Sequence, residues 1–125
     1  MTDVNTKRLR DIEPYAGPNA IPGIRFRPAG RTLGITAWGM NVLELDPHCE
    51  GYPEHDHEKD GQEEVYLVLD GKVTLHFSGE RRELERGDFV RVGPGQTRKF
   101  ITTETAATIL AIGGTPGQAF KSMLG

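Results

Sequence analysis

The chain of 125 residues is the size of one domain, and its net charge of −3, with Lys and Arg mixed among Asp and Glu, leaves no basic stripe for nucleic acid. Apolar runs such as Val65–Leu69 are far too short to span a membrane, and the N-terminal stretch MTDVNTKRLRDIEPY has no apolar signal-peptide core, so a cytoplasmic location is expected. The lone Cys49 cannot form an internal disulfide, and the 16 glycines and 8 prolines are spread along the chain as turn residues rather than gathered into a low-complexity block.

Residues 1–23 are polar and broken by Pro14, Gly17, Pro18, Pro22 and Gly23. They read as an extended arm with a helical turn around Lys7–Ile12, either a disordered end or an arm packed on the domain or on a partner subunit. From Ile24 the pattern changes. Ile24–Arg27, Gly34–Leu45, Glu64–Leu69, Lys72–Phe77, Arg82–Leu84, Phe89–Val92, Arg98–Thr102 and Ala106–Ile112 read as strands. Turn signals separate them: Pro28-Ala29-Gly30, Asp46-Pro47, Asp70-Gly71, Ser78-Gly79, Arg86-Gly87-Asp88 and Gly93-Pro94-Gly95. Asp70-Gly71 between two apolar runs predicts a hairpin. Short, evenly spaced strands with no long amphipathic helix predict an all-β domain over residues 24–113, a sandwich or a small β-barrel of antiparallel strands. The tail, 114–125, has room for a helical turn at Gln118–Met123.

The chemistry concentrates in EHDHEKDGQEEVYLVLDG, residues 54–71. Side chains alternate along a strand, so His55 and His57 point the same way if the segment is extended. A tight return would bring Glu64 opposite them. Two imidazoles and a carboxylate suit a divalent metal and leave coordination positions open. The alternative is a solvated acidic loop, since Glu54, Asp56, Glu58, Lys59 and Asp60 are all hydrophilic.

His55, His57, Glu64 and Gly71, with Val65–Asp70 as the six residues before the glycine, resemble the first motif of the cupin superfamily. GDFVRVGPGQTRKF, with Gly87-Asp88 opening a strand and Gly95 closing the next turn, resembles the second. The likeness runs from about Thr36 to Ile112. It implies a small jelly-roll barrel, a metal inside it and a homodimer; known members include dioxygenases, isomerases, lyases, epimerases, cyclases and sugar- or auxin-binding proteins. Three positions depart from the pattern. The gap between His57 and Glu64 is three residues longer, so Glu58–Gly61 has to loop out. Cys49 stands where a glycine precedes the histidine pair. Arg98 stands where the second motif carries a further histidine ligand.

A guanidinium has no free lone pair, and at about 5 Å from a divalent ion its repulsion is roughly 6–7 kcal/mol at an effective dielectric of about 20. Three arrangements follow. His55, His57 and Glu64 hold the metal (Fe, Mn, Ni or Zn) while Arg98 turns to the pocket mouth and binds an anionic substrate group. Alternatively, Arg98 pairs with Glu64 in a metal-free barrel. In the third, Arg98 faces outward and another residue completes the site. His76 and His48 are the remaining histidines, and both read as surface residues.

Around this centre, Tyr66 and Gln62 share the face of Glu64, and Phe100 shares that of Arg98. Trp38 and Met40 alternate with Thr36 and Val42 along one face of the strand Gly34–Leu45, as core or as pocket lining. Tyr66 and Glu63 are candidates for proton transfer, although strand alternation sends Glu63 to the opposite face. Cys49 and His48 are adjacent in sequence and so face apart, which argues against a nucleophilic pair. Two functional classes remain: a metal-dependent enzyme (oxygenase, lyase or isomerase) acting on a small, anionic organic substrate, and a non-catalytic small-ligand-binding barrel with or without metal.

Overall fold

The computed structural model describes residues 2–120. Seven strands appear among them: β1 (Ile24–Arg27), β2 (Gly39–Leu45), β3 (Glu63–Phe77), β4 (Glu80–Glu85), β5 (Phe89–Val92), β6 (Lys99–Ile101) and β7 (Ala107–Gly114). Every pairing is antiparallel, in the order β1-β2-β7-β3-β4, with β5 and β6 also on β3. The result is an open, jelly-roll-like all-β fold rather than a closed barrel.

The main correction concerns Asp70-Gly71. It is not a hairpin turn, because β3 runs straight through it. Pairing with β7 slips between Val68 and Asp70, a β-bulge. β3 pairs with β5 before the bulge and with β7 on both sides of it as far as Gly71; from Lys72 onward it pairs with β4 and β6. Gly71 has φ +78°, and a Cβ on it would lie 1.9 Å from the Ala106 carbonyl oxygen. The glycine therefore permits both a left-handed kink and a close backbone approach, and one long strand serves two sheets. The hairpin falls instead at Ser78-Gly79, where both residues have positive φ and β3 turns into β4.

The segment expected to be one strand from Gly34 begins only at Gly39. Before it, Ala29–Leu33 forms a short helix, α1, which ends at Gly34 in the left-handed region with its N–H on the Arg31 and Gly30 carbonyls. The arm packs on the sheet. Its helical turn is a 3₁₀ turn at Leu9–Asp11, and the buried Ile12 joins Ala29 and Val42 in a small cluster on the outer face. Tyr15 N–H bonds the Phe26 carbonyl, and Arg27 reaches the Ile12 carbonyl. The turn expected at 118–123 lies partly outside the described residues, and 118–120 are not helical.

The inner core is built from inward-facing positions of β2, β3 and β7, among them Leu43, Leu45, Tyr66, Val68, Leu75 and Ile109, with Phe100 from β6. Three cross-sheet rows matter for the site. Val68, Ile109 and Leu43 form a filled row; Tyr66, Ala111 and Asn41 a thinner one; Glu64, Gly113 and Gly39 one nearly without side chains. Packing therefore gives way to open space toward Glu64.

Gly71→Ala and Gly79→Ala provide a paired test, since both glycines have positive φ but only Gly71 meets a neighbour. Gly79→Ala is expected to cost about 1 kcal/mol by urea denaturation, and Gly71→Ala at least about 2 kcal/mol more.

Candidate metal centre

Glu64 is the second residue of β3, and Tyr66, two residues on, lies on the same face. His55 comes from the preceding loop and is held by a main-chain pair with Arg98: His55 N–H to the Arg98 carbonyl at 3.1 Å, Arg98 N–H to the His55 carbonyl at 3.0 Å. His57 follows at the same parity. The extra residues of the loop form a turn closed by Gly61 N–H on the His57 carbonyl at 2.7 Å, and Gly61 takes φ +69°. The loop-out expected at Glu58–Gly61 is this turn.

The turn also places Asp60 against His57, a contact the sequence reading missed. His57 Nδ1 lies 3.2 Å from both Asp60 carboxylate oxygens, and His55 Nδ1 lies 3.0 Å from the Pro53 carbonyl. Both partners accept hydrogen bonds, so Nδ1 of each ring is the donor behind it and Nε2 is the atom turned toward Glu64. Burial pushes Asp60 up, but the Gln62 N–H and His57 outweigh it and hold its carboxyl below the usual range. The two Nε2 atoms converge on Glu64 Oε1, at 3.9 Å from His55 and 3.1 Å from His57. An imidazole Nε2 beside a carboxylate oxygen is an arrangement that a shared proton or a metal ion bridges. Ligand atoms of His55, His57 and Glu64 lie within 4.8 Å of one another, the one such group of three among the described residues. The donor set fits a divalent metal, with a carbonyl and a carboxylate orienting the two imidazoles from behind.

Arg98 is fully enclosed, with 0% exposure. Its Nη2 donates to Glu64 Oε1 at 2.5 Å, Nη1 to the Gln96 carbonyl at 2.7 Å, and Nε to the Tyr66 hydroxyl at 3.3 Å. It does not stand at the pocket mouth and is not on the cavity wall, so it offers no free head to an anionic substrate. Burial alone would lower its pKa; Tyr66 and Glu64 outweigh burial and raise it. Tyr66 donates its proton to Glu64 Oε1 at 2.6 Å. Burial, together with the charge of Glu64, pushes this phenol far up, which suits a fixed donor and not a proton-transfer acid. Glu64 Oε1 thus meets Arg98, Tyr66 and His57, and its other oxygen accepts no hydrogen bond among the described residues.

A cavity of about 900 Å³ opens beside this group. Trp38 and Gln62 line it; Trp38 precedes β2 instead of lying within it, and Gln62 is tied to Asp60. Phe100 does not line it: the ring is fully buried, edge-on to Tyr66 and Tyr52. Glu63 is on the outer face in a surface pair with Arg91 at 2.5 Å, which removes it from the chemistry. Tyr52 was missed: it is buried, lines the cavity, and packs its ring 5.7 Å from that of His55. No periodic strand surrounds it, so only the folded loop reveals it. His48 is exposed, while Cys49 belongs to the core.

A family model described as Cupin domain matches residues 41–113. No curated protein matches the chain in sequence. Among solved structures, a sugar phosphate isomerase of the cupin superfamily from Silicibacter pomeroyi is 24% identical, with 90% of this chain and 77% of that one covered at a TM-score of 0.73. The polyketide cyclase RemF from Streptomyces resistomycificus is 20% identical, with 97% and 89% covered at 0.74. A predicted oxalate decarboxylase from Thermotoga maritima is 22% identical, with 87% and 97% covered at 0.70. At these identities the likeness carries the fold.

Two outcomes test the electrostatics. Arg98→Met leaves the Glu64 carboxylate without its buried cation and is expected to cost about 3 kcal/mol; adding Glu64→Gln should recover most of that loss in a denaturation cycle. Burial raises the Tyr52 phenol from 10.0 to about 12, and Tyr66 is raised as well. The folded state then holds these protons more tightly than the unfolded chain. Stability is full below pH 10 and falls as pH rises through about 12, with a shallower fall in Tyr52→Phe.

Proposed function

The chain belongs to the cupin family as a small single-domain member, and from that premise we propose that it is a metal-dependent enzyme acting on a small organic molecule held in the cavity. The observation that carries this reading is the convergence of two imidazole Nε2 atoms on one carboxylate, each ring held from behind through its Nδ1. His55, His57 and Glu64 would hold the ion on one side, with coordination positions left toward the cavity. A bound divalent ion there supplies Lewis-acid or redox chemistry of the kind used by oxygenases, lyases and isomerases. Arg98 and Tyr66 fix Glu64 from the protein side, holding the oxygen that faces the two imidazoles. The filled row through Ile109 keeps water from reaching the group from the core side.

A second reading rests on the ion pair itself. The Arg98 guanidinium already balances the Glu64 carboxylate, and a binding module without metal is consistent with that balance.

Metal content separates the two. Protein purified without chelator is expected to carry close to one equivalent of Fe, Mn, Ni or Zn by elemental analysis, and His55→Ala/His57→Ala to lose it. Arg98→His removes the repelling charge and adds an imidazole beside His55; metal is expected to bind ~10-fold tighter or more by calorimetric titration. A wild-type protein that neither carries nor takes up any of the four metals defeats the enzyme reading.

A further inference from the structure

We infer that the substrate is an apolar, ring-bearing molecule with a single oxygen-bearing edge, and not a sugar or a phosphorylated compound. This rests on the reading of Glu64 and the two histidines as the reacting end of the cavity.

The walls carry the first argument. Ile21, Ile24, Phe26, Ile35, Trp38 and Leu43 line the cavity, with further aromatic surface from Tyr15, Tyr52 and Phe120. A sugar presents a hydroxyl on nearly every carbon, and each one buried without a partner costs about 1–3 kcal/mol. Asn19, Thr36 and Asn41 also line the cavity, but the aliphatic and aromatic wall itself offers no such partners. Aromatic side chains also meet rings edge-on or offset, which adds roughly 0.5–1.5 kcal/mol per pair beyond area burial.

The charges carry the second. Asp56, Asp60 and Glu64 are the acidic groups of the lining, and Lys59 and Arg31 its cations, both on exposed residues. The enclosed cation, Arg98, is spent on Glu64, Gln96 and Tyr66. A phosphate entering the cavity would meet carboxylates at its polar end and no buried guanidinium fork.

The third is the shape beside Glu64. Gly113 and Gly39 stand in register with it across β7 and β2, and Ala111 and Asn41 with Tyr66. A Cβ on Gly113 would sit 3.0 Å from Gln62 Oε1 and 3.1 Å from Glu64 Cγ. A Cβ on Gly39 would sit 2.7 Å from the Phe120 ring, so these glycines make room for Gln62 and Glu64 on one side and an aromatic face on the other, and a polar cluster and a ring surface meet at this end of the cavity. The polar groups Gln62, Glu64, His55 and His57 gather at that end, so one oxygen-bearing edge of a ring is matched there and the remaining rings lie on apolar wall. A volume of about 900 Å³ accommodates several fused rings.

The test uses metal-free protein, so that it does not depend on the metal reading. 2-Naphthol and glucose 6-phosphate are titrated by calorimetry, while the indole N–H resonance of Trp38, the one tryptophan in the chain, is followed by NMR. The expected result is saturable binding of 2-naphthol at one site, with a Trp38 shift and at least ~10-fold tighter than glucose 6-phosphate. Ala111→Phe, which fills the thin row, should weaken naphthol binding ~10-fold or more, with Leu67→Phe on the outer face as a control that leaves it unchanged. Equal or tighter binding of glucose 6-phosphate overturns the inference. So does naphthol binding that ignores Ala111→Phe in a variant whose circular dichroism and melting show it folded; if that variant is unfolded, Phe26→Ala takes its place. Naphthol binding in a protein that takes up no metal leaves this inference standing and removes the metal reading alone.

Discussion

Everything at the polar end of this molecule turns on one carboxylate oxygen. Glu64 Oε1 accepts from a fully buried guanidinium and a buried phenol, and it faces the Nε2 of His57. A buried arginine would be prohibitive alone, and a carboxylate in the same place nearly so; together, with the Gln96 carbonyl taking another N–H, each is satisfied. No buried side-chain polar atom is left without a partner among the described residues. The pair also sets direction, since the oxygen it holds is the one that faces the two imidazoles.

The backbone serves that arrangement. β3 has to carry Glu64 and Tyr66 in one sheet and Val73 and Leu75 in the next, and the Gly71 kink lets it do both without a turn. β7 then decides how much space remains. Its inward positions run from Ile109, packed against Val68 and Leu43, to Ala111 and Gly113, which line the cavity. The cavity is a consequence of side chains that are small, placed in register with the carboxylate.

The strand pattern and the turn residues were legible because they are local. Alternation put Glu64 and Tyr66 on one face and Glu63 on the other, and both placements hold in the structure. Asp70-Gly71 misled for an equally local reason. A glycine with positive φ serves a hairpin and a bulge alike, and the difference lies in what approaches it, here Ala106 from a distant part of the chain. Arg98 was open to two readings, a head at the pocket mouth for a substrate anion or a partner for Glu64, and the main-chain pair with His55 aims it inward onto Glu64.

The residue types of the centre, the strands that carry them and the family to which they belong were determined by sequence alone, because side-chain alternation and motif spacing are properties of neighbouring residues. Which partner each polar group takes was decided only by the tertiary structure. Asp60 behind His57, Pro53 behind His55, Arg98 on Glu64 and the apolar wall of the cavity all depend on segments brought together by folding. Charge can be counted along a chain, but whether a charge is spent or free is a matter of distance in three dimensions.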